Sequence, residues 1–169
     1  MHSIAIKINV SQKDQEAINQ MLEIAGYAHQ KRKFHCTFGF IEKAIPELES
    51  SAFGQRVTQL LQEMLAFQPL LFEVGKSAHL FGHVIAFLPT AKSSLQLKKI
   101  NIWLFDKVKE VSEGRWGLNE ETFAPNYIPH LTLLRARRLD YRFKKLEELF
   151  AKSPPSFRLS EAAYVIFNQ

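Results

Sequence analysis

One cysteine, Cys36, is all the chain of 169 residues contains, which excludes an intramolecular disulfide and fits a reducing compartment. Long apolar runs are missing too: none approaches the roughly 20 residues a membrane span needs. The opening stretch MHSIAIKINV is too short for a signal peptide and reads as a first strand. No linker or low-complexity stretch divides the chain, and no carboxylate cluster offers a cation site. The expectation is therefore a single cytoplasmic, soluble domain spanning 1–169, with neither metal nor other cofactor. Monomer is the default, and no obligate protein partner is expected.

What is present is a globular composition, 46% hydrophobic and 23% charged, with a formal net charge of +5. The basic excess suits a phosphate-rich partner without deciding fold or specificity.

Periodicity alternates between the two kinds of element. SIAIKINV sets Ile4, Ile6, Ile8 and Val10 against Ala5, Lys7 and Asn9, the pattern of a half-buried strand. Ser11 offers an N-cap to a helix carrying Ile18, Met21, Leu22 and Ala25, which Gly26 closes. KFHCTFGFI (33–41) is a strand, and Pro46 marks a loop. AFGQRVTQLLQEMLAF places Val57, Leu60, Leu61, Met64 and Leu65 on one helical stripe. LLFEVGKSAHLF and GHVIAFLP read as strands meeting in a hairpin near Gly82. SSLQLKKINIWLFDKVKEV is a third helix, and a polar loop with Gly114, Gly117 and Pro125 leads to a strand over 127–138. YRFKKLEELFAK, a short helix, and SFRLSEAAYVIFN, a last strand, complete a βαβαββαβαβ order, an α+β domain. Strand, helix, strand, helix, strand occurs once before Gly82 and again, roughly reversed, after it.

The repeat carries a shorter one. FHCTF and PHLTL share histidine, an apolar residue and threonine, each on an expected strand. Alternation gives Phe34, Cys36, Phe38 and Phe40 one face and His35, Thr37 and Gly39 the other. In the second strand Leu131 and Leu133 face the core, with His130, Thr132 and Leu134 opposite. With six histidines and five threonines in the chain, the chance expectation is roughly 0.2 for one His-x-Thr. For two on strands it is about 0.01 to 0.02. A lone strand histidine reads best as a satisfied polar residue on a half-exposed sheet; the duplication reverses that preference.

Two imidazoles across a cleft can divide an in-line displacement at phosphorus. One removes a proton from the attacking oxygen while the other protonates the leaving oxygen. Each threonine hydroxyl can donate to a non-bridging phosphoryl oxygen. No metal is required.

The paired motifs, with LLFEVGKSAHLFGHVIAFLP and NYIPHLTLLR, resemble the 2H phosphoesterase superfamily over most of the chain. That superfamily includes the bacterial RNA 2′,3′-cyclic phosphodiesterases, historically called 2′-5′ RNA ligases, and the 2′,5′-phosphodiesterases acting on oligoadenylate. The resemblance implies two pseudo-symmetric lobes with antiparallel sheets around a central basic cleft, helices outside. It makes His35 and His130 the catalytic pair and Thr37 and Thr132 the phosphate binders. It also implies an aromatic that stacks on a base, Phe40, and an arginine near the phosphate or second histidine, Arg135. Simple alternation puts both on the core face, so a strand end or bulge has to turn them out.

Remaining candidates carry two readings each. Lys7 meets a phosphate oxygen if the first strand lines the cleft, and is otherwise a solvated lysine. His79 and His83 straddle a turn, poor spacing for metal ligation. Phe81 at that turn is a stacking aromatic or a plain turn hydrophobe. Cys36 points away from His35 and reads as a buried small apolar residue. The runs KRK (31–33) and RARR (135–138) flank both motifs, placed to steer a polyanion.

The resulting expectation is a metal-independent phosphodiesterase acting on RNA or nucleotides, opening 2′,3′-cyclic phosphates with a bell-shaped pH–rate profile. The alternatives are cleavage of 2′,5′-linked oligoadenylate and a nucleotide- or RNA-binding module that turns over little.

Overall fold

Isoleucine at every second position produces β1 (His2–Val10), in which Ile4, Ile6 and Ile8 are fully buried. The computed structural model describes residues 2–42, 51–67, 69–151 and 153–168. The loop expected around Pro46 lies outside them. Ser11 accepts a hydrogen bond from the Asp14 amide and starts α1 (Gln12–Ala25), and Gly26 ends it in the left-handed conformation at φ 99°. β2 (His35–Glu42), α2 (Ser51–Leu65), β3 (Leu70–Leu80) and β4 (Val84–Pro89) follow. α3 (Ala91–Ser112) begins two residues before the expected start because the Thr90 hydroxyl caps it, accepting from the Ser93 amide.

The polar loop contains more structure than its composition suggests. A two-residue strand, β5 (Gly117–Leu118), pairs with the end of β2, and a 3-10 turn follows at Glu120–Thr122. Neither is long enough to leave a periodic signal. β6 (Leu131–Arg135) is shorter than the 127–138 expected, because Tyr127–His130 approach it as irregular chain. α4 (Tyr141–Ala151) and β7 (Ser156–Asn168) close the order.

The seven strands form one antiparallel sheet in the order β1-β7-β3-β4-β6-β2-β5. β1 also pairs with β2, so the ladder runs from β1 through β7, β3, β4, β6 and β2 back to β1. β3 and β7 each serve two partners: Leu70–Glu73 pair with β7, and Val74–Leu80 pair with β4. The ring closes through a single residue pair, Cys36 opposite Leu131. The core is packed by Phe34, Phe38, Phe72, Phe87, Phe123 and Phe157, with the isoleucines of β1 and apolar residues of the helices such as Leu22, Leu60, Leu104 and Leu146. α1 packs on α4, and α2 on α3 and β7.

Two irregularities position the site. In β2 the register against β1 slips by one residue: Lys7 faces Thr37, Ile6 faces Gly39, and Phe38 is extra. In β6 it slips against β4: Ala86 faces Thr132, Ile85 faces Leu134, and Leu133 is extra. Each extra residue stands three positions after a motif histidine. The alternation expected for both strands therefore breaks immediately after the threonine. Phe40 turns out of the core and is half-buried, and Arg135 is exposed. Leu134, expected beside His130 and Thr132, is 7% exposed in the core instead. Both bulge carbonyls find side-chain donors, Asn101 Nδ2 for Phe38 and Arg32 Nη2 at 3.5 Å for Leu133.

Candidate active site

The antiparallel pairing of Cys36 with Leu131 sets the two motifs head to tail. One residue to either side, the same register brings His35 toward Thr132 and Thr37 toward His130. Thr37, His130 and Thr132, with Phe40, Phe81 and Tyr127, line one cavity of about 350 Å³. His35 is not among the residues that line it, but lies close enough for the charge of His130 to act on it.

Both imidazoles are anchored in the same way. His35 Nδ1 lies 3.1 Å from the Lys33 carbonyl and His130 Nδ1 lies 2.8 Å from the Ile128 carbonyl, two residues back in each case. A carbonyl oxygen only accepts, so Nδ1 carries the proton and Nε2 keeps its lone pair. Burial pushes the His35 pKa down to about 4, with the bond to Lys33 opposing and the charges of Lys7, Arg32 and His130 lowering it further. Burial also lowers His130, against the bond to Ile128. Both rings are thus neutral at pH 7 in the free protein.

The walls are tied down by groups whose role no short motif announces. Asn101 of α3 is fully buried. Besides the Phe38 carbonyl, its Nδ2 donates to Thr122 O at 3.0 Å, and its Oδ1 accepts from the Ala124 amide at 2.9 Å. The Phe40 amide donates to Thr122 Oγ1 at 3.1 Å, and Asn119 N to Phe40 O at 3.1 Å. Tyr127 donates to Thr37 O at 3.0 Å, beside Cys36 Sγ at 3.6 Å. Cys36 is fully buried, as alternation required, and burial raises its pKa to about 11, so the thiol is no nucleophile. A Cβ on Gly39 would run into the Phe123 ring, so any larger residue beside the bulge has to displace that ring.

Phe81 is placed by a tight turn. Residues 81 and 82 both have positive φ, 54° and 70°, and His83 N donates to Leu80 O at 3.1 Å, a primed hairpin turn. A phenylalanine with positive φ is strained. Phe81 is 61% exposed, its ring edge-on to His130 at 5.6 Å, and it lines the same cavity as Phe40.

Lys7 and Arg135 do not line this cavity. Lys7 faces Thr37 across the β1–β2 ladder, which puts their side chains on one face, and its charge acts on His35. Burial lowers the Lys7 pKa, with Lys33 adding to the shift and Glu161 opposing it. Arg135 lines a separate, arginine-rich cavity with Arg32. His79 donates or accepts nothing toward His83; its Nε2 meets the Ala136 carbonyl at 2.8 Å. Among the described residues no three metal-binding side chains converge, and no helix is long and apolar enough to cross a membrane.

No protein-family model matches the sequence, and no curated protein does. Among solved structures, the fold is similar to that of Usb1 from Kluyveromyces marxianus, determined with uridine monophosphate. The likeness spans 98% of this chain and 96% of that one at 12% identity, with a TM-score of 0.50. At that identity the likeness shows the fold alone; among its described residues this chain has four α-helices and a seven-stranded antiparallel sheet.

Proposed function

We propose that the protein is a metal-independent phosphodiesterase of the 2H type, acting on RNA or nucleotides and most simply opening 2′,3′-cyclic phosphates. The observation that carries this reading is the matched anchoring of His35 and His130 on either side of the Cys36–Leu131 pair, with Thr37 and Thr132, the threonine two residues along from each, lining the cavity that His130 also lines. A structural neighbour solved with uridine monophosphate supports a nucleotide as the ligand class. In this reading the repeated motif, bulge and strand mark two related lobes, one built on β1 and β2, the other on β4 and β6.

The phosphate lies between the Thr37 and Thr132 hydroxyls, which donate to its non-bridging oxygens and hold the charge that builds there. His35, kept neutral by burial and by Lys7 and Arg32, is the base: its Nε2 takes a proton as a water oxygen attacks phosphorus. His130 lacks those cations among its influences and gains a proton once the anionic phosphate is beside it. It then donates that proton to the departing ribose oxygen as the phosphorus–oxygen bond breaks, leaving a phosphomonoester. Phe40 and Phe81 offer faces for the nucleobase. Lys7 and Arg135 add positive charge near the phosphate path.

The test is turnover in EDTA of 2′,3′-cyclic mononucleotides, a cyclic-phosphate-ended RNA and 2′,5′-linked oligoadenylate by wild type, His35→Ala and His130→Ala. Either substitution should lower kcat by about 10²-fold or more. Shortening of the oligoadenylate with no cyclic-phosphate opening would transfer the assignment to the 2′,5′ activity. Nucleotide binding without product would make the cleft a reader.

A further inference from the structure

The two basic runs that flank the motifs are far apart in sequence, yet they meet. Arg32 from the first and Arg135, Arg137 and Arg138 from the second line a single cavity of about 650 Å³, with Tyr27 and Arg142. Arg32 is the bridge: its guanidinium reaches the carbonyl of Leu133, 101 positions away.

The charge in this cavity is unbalanced. Asp140 engages Arg142 at 2.6 to 3.0 Å, and Arg142 lies 4.7 Å over the Tyr27 ring, so that arginine and that aromatic face are occupied. Among the described residues no carboxylate comes within ion-pair distance of Arg32, Arg135, Arg137 or Arg138. Burial first, and then the charge of Arg135, pull the Arg32 pKa below the usual guanidinium range. Guanidinium forks suit phosphate oxygens in a way that scattered lysines do not.

Position says which phosphate. The histidine cavity and the arginine cavity share strand β6: Thr132 lines the first, Leu134 and Arg135 the second. At strand spacing, Thr132 to Arg135 is about 10 Å or less, within reach of the next units of a nucleotide chain. No free aromatic face lines the arginine cavity, so it is equipped for backbone and not for bases. We propose that the arginine cavity binds a backbone phosphate of the RNA strand that leads to the scissile phosphate, so that oligonucleotides are preferred over mononucleotides. The proposal rests on the phosphodiesterase reading for the scissile phosphate alone.

The test compares wild type with the double variant Arg137→Gln, Arg138→Gln. Both side chains are exposed, so the variant should keep the wild-type melting temperature. Binding is read by fluorescence anisotropy with a labelled oligonucleotide ending in a 3′-phosphate, at two salt concentrations. Affinity should fall at least about tenfold, and the log–log salt slope should shrink by about 0.7 for each phosphate contact removed. The ratio of kcat/KM for a cyclic-phosphate-ended oligonucleotide to that for a cyclic mononucleotide should fall to a similar degree. Unchanged affinity and an unchanged ratio would overturn the proposal. So would a poly-glutamate peptide that wild type binds as tightly as the RNA, since the cavity would then take acidic protein segments. If wild type turns over neither substrate, the phosphodiesterase reading fails, and anisotropy alone decides the arginine cavity.

Discussion

Asn101→Leu tests whether one buried amide holds the cleft wall together. Leucine has nearly the shape of asparagine and fills the same space on α3, so no large cavity opens. What it removes is three hydrogen bonds: two from Nδ2, to the Phe38 and Thr122 carbonyls, and one into Oδ1 from the Ala124 amide. The partners are backbone groups that cannot turn away, and each buried group left without a partner costs about 1–3 kcal/mol. Taking the low end for all three, because the Thr122–Ala124 loop borders the open cavity and water can partly replace the amide, the variant should lose about 3 kcal/mol. For a chain of this length one kcal/mol corresponds to about 2–4 °C, so the melting temperature should drop by about 6–12 °C. Urea unfolding followed by circular dichroism gives the free energy, and a thermal scan gives the temperature shift. Nucleotide affinity should weaken too, because Thr122 carries the hydroxyl that accepts from the Phe40 amide. A loss below about 1 kcal/mol with unaltered nucleotide affinity would refute the idea that this amide braces the wall.

Two further perturbations follow from the same structure. His35 has a folded-state pKa of about 4 against an ordinary 6.5, so the folded protein binds fewer protons than the unfolded chain between those values. Stability should therefore be complete above about pH 6.5 and fall as pH drops toward 4. His35→Gln should flatten part of that slope, about 1–2 kcal/mol once solvent access to the cleft is allowed for; parallel urea-midpoint curves from about pH 4.5 to 7 would count against it. Gly39→Ala should destabilise by about 1–3 kcal/mol through collision with the Phe123 ring. A double-mutant cycle with Phe123→Leu should recover part of the loss, and strict additivity would show that the contact is not the cause.

The elements were legible wherever a hydrophobic period or a cap ran long enough to register. β1, α1 and the hairpin at Gly82 lie where alternation, Ser11 and Gly26, and the turn residues put them. β5 and the 3-10 turn were not, because two or three residues carry no period and are held by pairing with β2 and by Asn101. Asn101 itself reads in sequence as one more polar residue on a helix with a strong apolar stripe. Its burial and three backbone partners belong to the fold and leave no local mark. Likewise the turn that aims Phe81 at His130 is suggested by Phe-Gly, while the direction of the ring depends on where the irregular chain before β6 delivers His130.

The sequence by itself determined which residues could do chemistry here: two histidines each spaced one residue from a threonine, on strands whose opposite faces are greasy, with arginines and lysines beside them. Composition and alternation suffice for that, since a strand's period of two assigns side chains to faces without reference to the rest of the chain. Tertiary structure alone decided that the motifs meet head to tail through Cys36 and Leu131, and that a bulge after each threonine turns Phe40 and Arg135 out of the core. It alone gathered Arg32 and Arg135 into one cavity beside the cleft. Register and bulges arise from pairing between segments distant in sequence, Lys7 with Thr37, Ala86 with Thr132 and Cys36 with Leu131, and no local period encodes that partnership.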